Sequence, residues 1–157
     1  MLLRKWPRNL GTQKRSINIH TSKKGRRADL DNRFFRSDWE ANYCRFLKFQ
    51  KVEYKYESKE FWFEDIKRGC RSYKPDLYLP KEDRYIEIKG WLDNKSFTKL
   101  KRFKKYYPED FAKLTAVVGS MNTDAYRKMY ELGIRTFEFY REMNSKLDGI
   151  IPNWERG

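Results

Sequence analysis

Residues Tyr73–Trp91 read YKPDLYLPKEDRYIEIKGW, and the way the two halves of this stretch pair decides the fold. The first half, Tyr73 to Leu79, is largely apolar at 73, 75, 77 and 79, which puts Lys74, Asp76 and Tyr78 on the other face of a strand. In the second half, Tyr85 to Lys89, Ile86 and Ile88 share one face and Glu87 and Lys89 the other. Pro80-Lys81-Glu82-Asp83 supplies a four-residue hairpin loop. With Leu79 opposite Arg84, Asp76 falls opposite Glu87. Directly paired side chains share a face, with Cβ atoms roughly 4.5–5.5 Å apart.

Two carboxylates held that close on a partly buried face repel, so the pairing calls for a compensating cation. Hard oxygen donors suit Mg²⁺, with Mn²⁺ as its substitute. Lys89, on the same face, adds a positive charge beside the metal. An Asp, a Glu and a Lys converging on one divalent ion are the makings of a phosphodiester-cleaving site.

A chain of 157 residues is most simply one domain with a core of its own, and 17% aromatic residues can supply much of that core. The net charge of +14 points to a polyanionic partner; the plainer alternative is a basic protein that merely stays soluble. No run of 18 apolar residues occurs, so no membrane partner is expected. Cys44 and Cys70 read as reduced thiols of an intracellular protein, which points to the cytoplasm. A single histidine, His20, argues against histidine-dependent nuclease sites and multi-histidine zinc sites. The absence of Gly-x4-Gly-Lys-Ser/Thr argues against a nucleotide cofactor bound by a P-loop.

Residues 1–33 read as a basic N-terminal arm and 34–157 as the domain. The first 27 residues hold nine basic side chains and no acidic one. Three readings stay open for them: an arm lying along nucleic acid, a solubilising tail, or an organelle transit peptide, which Pro7 and Gly11 disfavour. Phe35–Gln50 is expected to be helical, capped near Ser37 or Asp38, with Trp39, Tyr43, Phe46 and Leu47 as its buried stripe and Glu40 at the stripe's edge. Val52–Asp65 reads as strand material and Ile66–Ser72 as a loop. Lys95–Tyr107 reads as a helix ended by Pro108, its core face Phe97, Leu100, Phe103 and Tyr107. Leu114–Val118 has the composition of a strand buried on both faces. A helix over Thr123–Leu132, capped by Asn122 and stopped by Gly133, and a strand over Ile134–Tyr140 follow. The remainder reads as a polar tail whose Trp154 packs back.

Pro75-Asp76 followed by Glu87-Ile88-Lys89 resembles the motif of the PD-(D/E)XK nuclease superfamily. The resemblance implies an α/β fold with a restriction-endonuclease-like αβββαβ core, a mixed central sheet flanked by helices. It also implies a glutamate on the helix before the sheet, a place that Glu40 matches. The implied site has Glu40, Asp76, Glu87 and Lys89 as catalytic residues, and Glu40, Asp76, Glu87 and the carbonyl of Ile88 as metal ligands. Lys99, Lys101, Arg102 and Lys105 on the basic helix, Lys74 beside Asp76, and Arg26 and Arg27 in the arm are the expected DNA contacts. Within the superfamily the chain is most similar to the phage-type endonuclease I enzymes that resolve branched DNA during recombination. That likeness rests on Glu-x-Lys-Gly, Pro108-Glu109 and Ile151-Pro152-Asn153-Trp154 and covers roughly residues 36–154, with the spacing before Trp154 one residue short. It implies a Mg²⁺-dependent endonuclease for Holliday-junction-like DNA, working as a homodimer because opposite-strand cuts need two sites. Homing- and restriction-type enzymes that cut or nick duplex DNA share the same core. The rival classes are a non-catalytic nucleic-acid-binding protein and a surface ion-pair ladder on an RNA binder.

Overall fold

The computed structural model describes residues 23–156; most of the basic arm, with His20, lies outside them. The described chain enters as a short unit of β1 (Gly25–Arg27), a 3-10 turn and β2 (Arg33–Phe35). Asp31 and Asn32 reverse the chain at φ of 56° and 53°, a region Asp and Asn tolerate better than other side chains. Leu30 and Phe35 are buried, so the boundary expected at residue 33 falls inside a unit packed on the domain.

Helix α1 (Asp38–Phe49) begins where the Ser37 hydroxyl accepts the Glu40 N–H, three residues later than the expected start, because Phe35 is taken up by β2. The expected one-sided stripe is corrected: every residue from Glu40 to Leu47 is buried. The face holding Asn42 and Arg45 is covered by the β1–β2 unit and the chain's end. Arg45 pairs with Asp29 at 2.7 Å and Glu155 at 2.8 Å, and Arg27 reaches the same Glu155 at 2.7 Å.

Next come β3 (Lys55–Tyr56), β4 (Phe61–Trp62), β5 (Ser72–Tyr73), β6 (Leu77–Leu79) and β7 (Arg84–Ile88). The expected register holds, with Leu77, Tyr78 and Leu79 opposite Ile86, Tyr85 and Arg84. The expected continuous strand from Tyr73 does not. It breaks at Lys74-Pro75-Asp76, since Pro75 has no N–H to donate to a ladder. Tyr73 instead pairs β5 with β4 in a separate two-stranded sheet.

Helix α2 (Asn94–Tyr106) is capped by Asp93, and Pro108, expected as a stop, also opens the short helix α3 (Pro108–Phe111). Strand β8 (Leu114–Val118) lies parallel to β7 and is buried throughout, as its composition predicts. Helix α4 (Asp124–Leu132) takes Thr123 rather than Asn122 as its cap and ends at Gly133, at φ 118°. Strand β9 (Thr136–Phe139) is parallel to β8. The polar tail contains an unexpected helix, α5 (Tyr140–Leu147), whose Tyr140, Met143 and Leu147 are buried. Trp154 packs back as expected, donating to Asn144 at 2.8 Å.

The protein is thus mixed α/β, with a five-stranded mixed sheet ordered β3-β6-β7-β8-β9. On one face Leu77, Leu79, Ile86, Ile88 and Val117 join residues of α1 and α5. On the other, Tyr85, Leu114, Ala116 and Val118 pack with Leu100, Phe103 and Met129 of α2 and α4. No helix among the described residues is long and apolar enough to cross a membrane.

Candidate functional site

The β6–β7 ladder stops at Leu77–Ile86, and the Asp76 side chain continues it: Oδ2 accepts the Ile88 N–H at 2.7 Å. Asp76 and Glu87 thereby meet at the end of the hairpin, 6% and 3% exposed. Burial, and then the negative charge of Glu87, hold the Asp76 carboxyl well above its ordinary range, with Lys89 opposing both. Lys89 Nζ lies 3.1 Å from Glu87 Oε1. The Glu87 charge raises the Lys89 pKa against the effect of burial, so the ammonium stays protonated. The other oxygen, Glu87 Oε2, accepts the Tyr73 hydroxyl at 2.6 Å. Sequence reasoning missed Tyr73: strict alternation placed it with Leu77, on the wrong side of the sheet, and only the break at Pro75 brings it round.

Glu40 is buried as well, and burial pushes its carboxyl up. It accepts the Tyr56 hydroxyl at 2.8 Å, the Ser37 hydroxyl at 3.3 Å and the Arg36 N–H at 3.3 Å. Its charge still reaches Asp76 and Lys89, yet its oxygens are turned to its own helix start and to β3. Among the described residues no group of three or more His, Cys, Asp or Glu side chains is arranged to hold a metal ion. The donor chemistry of Asp76 and Glu87 nevertheless fits one hard divalent cation, because two buried carboxylates share a single ammonium. Mg²⁺ binds in this manner, through one or two carboxylates, with water and substrate phosphate as its other ligands.

The two acids open into a cleft of about 260 Å³ whose walls include Tyr73, Lys74, Lys89 and Lys99. Of the residues expected to contact DNA, Lys74 and Lys99 line this cleft. Lys101 and Lys105 are exposed on α2, each over a neighbouring ring, Phe97 and Tyr106. Arg102 is turned inward, donating to the Cys70 carbonyl at 2.6 Å. Arg26 is exposed, and Arg27 is held by Glu155 with 11% of its side chain exposed.

Comparison of the chain with protein-family models, with curated proteins and with solved structures finds no match. The functional reading therefore rests on the residues and their geometry.

Proposed function

We propose that the protein is a Mg²⁺-dependent deoxyribonuclease, an endonuclease that hydrolyses DNA phosphodiester bonds, with Mn²⁺ as substitute and branched DNA as its substrate. The observation that carries the reading is the buried Asp76–Glu87 pair with Lys89 at its side, facing a cleft walled by lysines. The chain order α1, β3, β6, β7, α2, β8 supports a restriction-endonuclease-like core. Asp76, Glu87 and the Ile88 carbonyl would hold the cation, and Glu40 would bear on it from further out. When bound, a divalent cation lowers the pKa of water and polarises the scissile phosphate. Tyr73 would orient Glu87 by holding Oε2, so that Oε1, on the Lys89 side, faces the cation. Lys89, beside Glu87, would offset negative charge developing on the phosphate or orient the attacking hydroxide. Lys74 and Lys99 neutralise the backbone on either side. A homodimer in the cytoplasm completes the proposal, since paired cuts need paired sites.

The inward hydrogen bonds of Glu40 favour a second reading, a DNA-binding protein without catalysis. Incubation of four-way junction, flap, linear duplex and single-stranded DNA with Mg²⁺ or Mn²⁺ separates the two. Cleavage with preference for the junction is expected. Discrete cuts in long duplex would instead favour a homing or restriction role. Asp76→Asn and Glu87→Gln are each expected to abolish cutting while DNA binding persists, and metal-dependent cutting by either variant rules the assignment out.

A further inference from the structure

A second cleft, of about 440 Å³, opens where β7 and β8 end and α1 begins, and it shares Glu40 and Lys89 with the proposed cleavage site. Ligands of α/β sheets collect at the carboxyl ends of parallel strands, and this cleft occupies such a place. Two tryptophans line it. Trp39 is half-buried and stacked on Tyr140 with ring centres 4.1 Å apart, which fixes its plane. Gly90 and Gly119 lie close to the Trp39 ring: a Cβ would stand 3.4 Å from its carbons at Gly90 and 3.6 Å at Gly119. Trp91 is different. It keeps 74% of its surface exposed, more than any other exposed large apolar residue of the described chain, although only Gly90 separates it from Lys89 in sequence.

The charges around the two rings are divided. Lys89 and the exposed Arg141 stand on the cleft's wall, while Asp38 and Glu40 make its buried part acidic. A phosphate pushed inward would meet carboxylates, whereas an uncharged planar ring would meet aromatic surface and leave its phosphates beside the two cations. A cleft of this size, with aromatic walls and a few polar groups, suits a single heterocycle.

We propose that this cleft takes one unpaired nucleobase of bound DNA, stacked on Trp91, with the flanking phosphates at Lys89 and Arg141. The inference rests on the nuclease reading for its adjacency to the cut, and it narrows the substrate to DNA with an unstacked nucleotide beside the scissile bond. Stacking tolerates any base, so the protein reads DNA structure here and not sequence.

The test is binding in metal-free buffer, where no cutting occurs, to a duplex carrying one unpaired 2-aminopurine and to the same duplex fully paired. Wild-type protein should prefer the first and quench its fluorescence. Trp91→Ala should lose the quenching and bind the unpaired-base duplex roughly 5- to 150-fold more weakly, the range that alanine substitution of stacking aromatics produces. Its affinity for the paired duplex should not change, and Trp91→Phe should keep most of the preference. A Trp91→Ala protein with the wild-type ratio of affinities and unaltered quenching overturns the inference. Wild-type protein that binds neither duplex overturns it together with the nuclease reading. Cutting of the unpaired-base duplex by Asp76→Asn in Mg²⁺ is the separate measurement that sinks the nuclease reading alone.

Discussion

The Asp76 carboxylate sits in surroundings that disfavour its charge, and the consequence is measurable on the folded protein. Burial and Glu87 hold its pKa above the ordinary 3.8, so the folded chain binds that proton more tightly than the unfolded chain does. Stability then falls as pH rises from about 4 through the folded value. Asp76→Asn removes this loss. Without metal at neutral pH, the variant should melt higher than wild type by about 2–4 °C for each kcal/mol relieved. The difference should shrink at pH 4, and millimolar Mg²⁺ should raise the melting temperature of wild type alone. An equal difference at both pH values counts against this account. Tyr73 offers a complementary case. Tyr73→Phe keeps the ring packing but deprives Glu87 of a donor, which should cost about 1–3 kcal/mol in denaturant melts.

At the scale of elements, α1 is the helix whose environment the sequence misrepresented most. Asn42 and Arg45 are outside the expected stripe of Trp39, Tyr43, Phe46 and Leu47. In the fold Asn42 donates to the Tyr140 hydroxyl at 2.7 Å, and Arg45 ties Asp29 to Glu155. Arg45→Ala should cost about 3 kcal/mol, toward the low end for breaking a buried pair, because Asp29 and Glu155 keep 27% and 24% of their side-chain surface in water. The same network responds to acid. The hydrogen bond from Arg45 lowers the Asp29 pKa; burial would raise that of Glu155, but Arg27 and Arg45 outweigh it. Both depressed values stabilise the fold above the ordinary 3.8 and 4.5, and that contribution is lost as pH falls through the folded values. Amide exchange should therefore show β1 and β2 losing protection on acidification before β7 and β8 do. Simultaneous loss would mean that the network does not hold the β1–β2 unit.

For the whole molecule, the +14 charge matters through where it is free to act. Lys74, Lys99, Lys101 and Lys105 lie on the cleft or the exposed side of α2. Four phosphate contacts predict a log–log salt slope of about −3.6 for duplex binding, and each Lys→Ala change should reduce its magnitude by about 0.9. Arg27→Ala is the informative control. Since Arg27 serves the Glu155 network, its loss should lower the melting temperature and leave the salt slope unchanged. A slope that drops with Arg27→Ala would return that residue to the DNA contacts.

The sequence by itself determined the β6–β7 register, the strand of five buried residues at 114–118 and the company of Asp76, Glu87 and Lys89. Each follows from local rules: side chains alternate along a strand, and a four-residue loop sets which positions pair. It also marked Ser37 as a cap and Gly133 as a stop, because both act within one helical turn. Tertiary structure alone decided that Tyr73 swings to Glu87, that Glu40 turns to Tyr56, and that the tail forms α5 over the face of α1. Those outcomes depend on which surfaces far apart in sequence come to cover one another, and no local period records that.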